Sequence, residues 1–102
     1  MTTQSVTVDL DGEVSIREIA SLHARLMDAR NSEQPVTLDG EDVSRVDTPG
    51  LQLLAGFVME RARCGRETGW SAASVALLDG ARLLGMEAML ALDHLPATAE
   101  TH

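Results

Sequence analysis

Val43-Ser44-Arg45-Val46-Asp47-Thr48-Pro49-Gly50-Leu51-Gln52-Leu53-Leu54 is the stretch whose reading decides the fold. Its first four residues alternate apolar and polar, as an extended stretch or a loop running back to a sheet does. Asp47-Thr48-Pro49-Gly50 then opens a helix. Proline suits a first helical position, because the amide it lacks has no intrahelical acceptor there. The helical pattern runs to about Cys64, and Gly65 closes it as a left-handed cap. At 100° per residue, Leu51, Leu54, Ala55, Val58 and Ala62 form one stripe and Met59 widens it. Leu53, Phe57 and Cys64 lie on another side, while Gln52, Gly56, Glu60 and Arg63 make the polar arc. The apolar arc is wider than one sheet face requires. Either neighbouring helices cover the excess, or the part near Thr48 is a partner surface.

Upstream, Val6-Thr7-Val8-Asp9-Leu10 alternates as a half-buried strand does. Asp11-Gly12 is a hairpin signal, which makes Glu13-Val14 the returning partner strand. Ser15 and Glu18 have the spacing of a capping box, and a helix is expected over about 16–30. Val36-Thr37-Leu38 is a short strand, followed by the acidic turn Gly40-Glu41-Asp42. Downstream, Glu67 to Ser71 is a weakly patterned strand. Ser74 caps a third helix through Leu84, and Gly85 ends it. Glu87 to Leu92 is a short helix or strand, and a frayed tail is expected from about residue 93. This order predicts an α/β fold, a small mixed β-sheet with three to four helices packed on it. At 102 residues the chain is long enough for one domain, 1–102, and too short for two.

The formal net charge is −8, and all eight basic side chains are arginines, with no lysine. Such a surface repels nucleic-acid phosphates and anionic lipid head groups and attracts basic protein surfaces. Phe57 and Trp70 are the only aromatic residues, too few for a base-stacking platform. The N-terminus lacks the basic and apolar regions of a signal peptide, and the apolar runs are too short to span a bilayer. The single cysteine fits a reducing compartment. A cytoplasmic protein, monomeric when alone, is the expectation.

No catalytic constellation emerges. Asp9, Asp11, Asp39, Glu41, Asp42 and Asp47 are acidic loop residues without calcium-loop spacing, so a solvated rim is expected rather than a metal site. His23, His94 and His102 have no ligand partner at zinc spacing. Cys64 sits at a helix C-terminus, where the dipole raises a thiol pKa instead of activating it. No cofactor motif is present, and no enzyme is expected.

The central motif, an aspartate, a threonine, one residue, a glycine and then leucines, resembles the signature loop and helix of STAS domains. Leu38-Asp39 and Leu83-Leu84-Gly85-Met86 extend the similarity through most of the chain. The resemblance implies a regulatory protein-binding module that docks through Asp47, Thr48, Pro49, Gly50, Leu51 and Gln52. Thr48 matches the position that phosphorylation-controlled members modify, so it is the candidate phosphorylation site. Two partner classes follow from the resemblance: an anti-sigma factor or related kinase-like regulator, and the ATPase of an Mla-type phospholipid-transport ABC system. Pro49 departs from the small residue usual in the family; it stiffens the loop and biases Thr48 towards extended backbone. The bland alternative for Thr48 is a helix N-cap, worth about 1 kcal/mol.

Overall fold

The computed structural model describes residues 6–92. In chain order these form strands β1 (Val6–Asp9) and β2 (Glu13–Val14), a 3-10 turn (Ile16–Glu18) and helix α1 (Ile19–Arg30). Strands β3 (Val36–Gly40) and β4 (Arg45–Val46), helix α2 (Thr48–Arg63), strand β5 (Thr68–Ala73) and helix α3 (Val75–Leu83) follow. The main sheet has the order β1-β3-β5 and a second, two-stranded sheet joins β2 to β4. All of these pairings are parallel, with Val8 opposite Leu38 and Val14 opposite Val46. Parallel neighbours need a crossover between them, which α1 and α2 supply. The two helices lie side by side, α1 meeting β1 and α2 meeting β5, and α3 packs on β4. The α/β architecture is the one expected. The tail expected from residue 93, with His94 and His102, lies outside the described residues.

The hairpin at Asp11-Gly12 does not form. Asp11 does turn the chain, with φ +59°, and the Asp9 carboxylate accepts its amide at 2.8 Å. The chain then leaves the main sheet instead of folding back along β1. Arg25 braces this turn from α1: it donates to the Asp9 carbonyl at 2.8 Å and meets the Asp11 carboxylate at 2.7 Å. Glu13-Val14 pairs with Arg45-Val46 instead. This also settles the choice left open for 43–46: Arg45-Val46 is extended and belongs to the smaller sheet.

The capping box is a second correction. The Ser15 hydroxyl donates to the Glu13 carboxylate and caps no amide. The first turn is accordingly 3-10, and the α-helix begins only at Ile19. At the other ends the punctuation holds. Ser74 accepts the Leu77 amide at 3.1 Å, and Gly65 and Gly85 take φ of +73° and +68°.

The core joins Leu10 and Val14 to Leu22 and Leu26 of α1, Val36 and Leu38 of β3, and Leu51 and Leu54 of α2. Leu77, Leu90 and Leu92 close it from the C-terminal side. Residues 86–92 pack as turns rather than as an element, held by the Trp70 Nε1 donating to the Leu90 carbonyl at 2.8 Å.

One buried residue is not apolar. Arg61 of α2 is 1% exposed. Its guanidinium donates to the carbonyls of Ala29, Arg30, Ser32, Gln34 and Glu67 and to the Thr68 hydroxyl, at 2.8–3.2 Å. It also lies 5.9 Å from the centroid of the Phe57 ring. Burial lowers its pKa from the ordinary value, the Arg66 charge adds to this and Cys64 opposes it. No carboxylate pairs with it among the described residues; carbonyl dipoles solvate the charge instead.

Two stability predictions follow. Leu54→Ala, at a fully buried point of the α2 stripe, should cost about 2–4 kcal/mol, and Val58→Ala an amount at the lower end of that range, in urea denaturation. Arg61→Met should cost about 3 kcal/mol or more, because it strands one buried and several partly buried carbonyls at once. Arg61→Lys should recover only part of the loss, since an ammonium cannot span the same fork of acceptors. A midpoint for Arg61→Met close to that of the wild type would remove the network from the account of stability.

Candidate functional site

The start of α2 is built by two short segments stitched in parallel. The Ser44 amide donates to the Gly12 carbonyl at 2.9 Å, and the Asp47 amide to the Val14 carbonyl at 3.1 Å. The Asp47 carboxylate then finishes the joint. Its Oδ1 accepts the Gly50 amide at 3.0 Å and its Oδ2 accepts the Ile16 amide at 2.9 Å. One aspartate therefore caps α2 and ties down the start of the segment leading into α1.

Asp47, and not Thr48, is the N-cap. Thr48 is the first helical residue and Pro49 the second, and both are exposed. Gly50 is buried against Val14, where a Cβ would run into the Val14 carbonyl and lie 2.8 Å from the Ser15 nitrogen. The obstacle is backbone, so only glycine fits this crossing. Leu51 is fully buried. Of the six residues singled out in the sequence, Thr48, Pro49 and Gln52 thus face outward, while Asp47, Gly50 and Leu51 hold the loop in place.

The Thr48 hydroxyl makes no hydrogen bond within the described residues. The amides at this helix end are also largely spent. Pro49 has none, Gly50 donates to the Asp47 side chain, and Leu51 donates to the Asp47 carbonyl at 3.0 Å. An anion added to Thr48 would meet the Asp47 carboxylate where a free helix terminus would have offered donors.

Beside Thr48 lies an apolar groove of about 510 Å³, lined by Gln52, Ala55, Gly56, Met59, Leu84, Met86 and Met89. Met59, Leu84 and Met89 are 44%, 41% and 40% exposed. Methionine's unbranched, polarisable chain suits a surface that adapts to what it meets. The widened apolar arc of α2 is only partly covered by neighbours: Phe57 is buried and Leu53 half-buried, but Met59 stays open. Ile16, the first residue of the helix expected over 16–30, is 56% exposed beside the Asp47 joint. Helical periodicity could not find it, because the turn it sits in is not α-helical.

The remaining candidates are held locally. Asp9 and Asp39 accept the amides of Asp11 and Glu41 in turns. Among the described residues no group of three or more His, Cys, Asp or Glu side chains could hold a metal ion. Cys64 is exposed at the end of α2 and His23 exposed on α1. No helix among the described residues is long and apolar enough to cross a membrane.

A small parallel α/β sheet backed by helices, with a capped Asp-Thr loop leading into the central helix, defines a STAS-type module. A family model described as "Mlab, STAS domain" matches residues 1–92, and the chain belongs to this family. Domains of the family are typically non-enzymatic regulatory modules. No curated protein matches the chain.

The division of labour at the loop predicts a contrast between neighbours. Asp47→Ala should cost about 1–2 kcal/mol in chemical denaturation, because it removes a helix cap and a second amide acceptor with it. Thr48→Ala should change stability by less than about 0.5 kcal/mol, as at an ordinary surface site. Equal costs at the two positions would show that the capping role is misassigned.

Proposed function

We propose that the protein is a regulatory protein-binding module that docks a partner through the Thr48 end of α2. The observation that carries this reading is the exposed, unbonded Thr48 hydroxyl at the mouth of a methionine-lined groove. The hydroxyl caps nothing, so the fold has no evident need of it. Around it, Gln52, Met59, Leu84 and Met89 offer the mixture of apolar area and polar handles common in interfaces. The net charge of −8 favours a partner with a basic surface.

Phosphorylation of Thr48 is the switch this site suits. A phosphate there adds nearly two negative charges beside a carboxylate whose two oxygens are already committed. It finds few free amides to settle on. Such a group repels a docked partner while leaving Asp47, Gly50 and Leu51 in place, so the domain stays folded in both states. An anti-sigma factor or kinase-like regulator is the partner class for this reading. A second reading is an accessory subunit that binds the ATPase of a phospholipid-transport ABC system. The description of the matching family, which names Mlab, favours it. In that case the unmodified hydroxyl bonds directly to the ATPase.

Affinity purification from native cells, with mass spectrometry of the partner and of residue 48, supplies the partner for a test by calorimetry. Thr48→Glu should abolish binding under either reading, because a charge is then desolvated without a mate. Thr48→Ala should leave affinity intact under the phosphorylation switch. It should weaken affinity by about 1–3 kcal/mol if the hydroxyl bonds the partner. If circular dichroism shows both variants folded and neither changes affinity, the docking role of this loop is refuted.

A further inference from the structure

The chain has five methionines. Met1 lies outside the described residues, and the other four all line the two grooves that flank the outer face of α2. Met59, Met86 and Met89 line the groove of about 510 Å³ beside Thr48. Met27 lines a second groove, of about 270 Å³, with Leu53 and Phe57. The core is built differently: leucine, valine and alanine fill it, with Phe57 and a single methionine, Met86. Methionine is thus set apart at the surface where a partner is proposed to dock, while leucine fills the interior.

The two residue types differ less in volume than in chemistry. A thioether takes up one oxygen to become a sulfoxide, which is polar and chiral, and reductases reverse the change. Leucine offers no such reaction. Met59 and Met89, with close to half of each side chain in water, are open to a small oxidant. Met86 is 7% exposed and shielded from it. Met27, 37% exposed, stands in the other groove, its sulfur 3.8 Å from Nη1 of Arg30.

Resting on the docking surface proposed above, we infer that Met59 and Met89 form a reversible oxidation site, whose sulfoxides release the partner from the Thr48 groove. The oxidant is hydrogen peroxide. The sulfur lone pair forms an S–O bond to one peroxide oxygen as the O–O bond breaks. The departing hydroxide takes the proton of the new S–OH group and leaves as water. Sulfur loses two electrons and the peroxide gains two. A dithiol-dependent reductase restores the thioether, the sulfoxide oxygen leaving as water and the dithiol becoming a disulfide. Each sulfoxide puts a strong acceptor on a formerly apolar wall, and burying it against a partner without a donor is unfavourable. In the free domain both side chains are exposed enough to keep the new oxygen hydrated, so the fold bears no such cost.

The test uses the full chain carrying Cys64→Ser, which removes the exposed thiol as a competing target, and hydrogen peroxide. Peptide mass mapping over time should show one added oxygen at Met59 and at Met89 well before Met86. Circular dichroism should be unchanged at that stage. Calorimetry against the partner purified with the wild-type chain should then show affinity lower by about tenfold or more, as loss of a central contact does. Methionine sulfoxide reductase with dithiothreitol should restore it. The double variant Met59→Leu with Met89→Leu should bind as the unoxidised chain does and resist peroxide, while Met27→Leu should stay sensitive. Oxidation of Met86 first, unfolding on oxidation, unchanged affinity of the oxidised chain or continued sensitivity of the double leucine variant overturns the oxidation site. If Thr48→Glu abolishes binding while the sulfoxides leave it intact, the docking surface stands and only the oxidation switch falls. If neither change affects binding, or no specific partner is recovered, both fall.

Discussion

A single guanidinium holds the base of this domain together. Arg61 reaches the last carbonyls of α1, the loop that leads into β3 and the start of β5. Those are the points where two segments distant in sequence, 29–34 and 61–68, meet at one end of the parallel sheet. Backbone carbonyls at a helix C-terminus and in the loop beyond it have no ladder partner of their own. Left without a donor in this partly buried setting they are costly. Arginine suits the task because its donors form a rigid planar fork. The positive charge also complements the C-terminal end of the α1 dipole. A buried cation without a carboxylate is ordinarily destabilising. Here six acceptors replace its hydration, and the phenyl face of Phe57 lies alongside.

Asp47 does a comparable job at the opposite end of α2. Its two oxygens bind amides 34 residues apart, those of Ile16 and Gly50. Between them, Arg61 and Asp47 pin α2 at both ends, and the Gly50 crossing on Val14 removes what slack remains. Thr48 is therefore presented from a rigid base, since every neighbour that could move it is bonded or buried. A polar handle held this way loses little conformational freedom when a partner arrives, which is the usual route to affinity from a small surface.

The parts of this arrangement that depend on local rules were legible in the sequence. Ser74, Gly65, Gly85 and the Leu51, Leu54, Ala55 and Val58 part of the α2 stripe act within a few residues of themselves, and each stands where the pattern puts it; Ala62, the last residue of that stripe, is exposed while Arg61 beside it is buried. The Asp-Thr-Pro-Gly loop and the α/β order were legible for the same reason, and the family resemblance reinforced them. What failed were inferences about long-range pairing from short-range signals. Asp11-Gly12 signals a turn correctly, but a turn does not specify which strand is met next; Glu13-Val14 finds its partner far along the chain, in Arg45-Val46. The Ser15–Glu18 spacing is right for a capping box, yet the Ser15 hydroxyl turns to the Glu13 carboxylate and the Glu18 amide goes to the Ser15 carbonyl. Thr48 and Asp47 are both acceptable caps, and only the three-dimensional joint chooses the carboxylate. Arg61 left no trace beyond being a charge outside the polar arc. Its partners are backbone carbonyls, which every residue has and no sequence pattern displays.

The same helix thus carries three separate duties on separate faces. Its inner stripe, Leu51, Leu54 and Val58, fills the core. Its C-terminal end, through Arg61, fastens the loops beneath the sheet. Its outer face, Thr48, Gln52, Gly56 and Met59, takes no part in either. Side chains on opposite faces of a helix do not touch, so changes on one add to changes on another without coupling. That separation is what a switchable binding module requires. Under the proposed switch, a charge added at Thr48 changes what binds without altering how much of the domain is folded. A module whose contact face were also its core would lose its fold each time it released its partner.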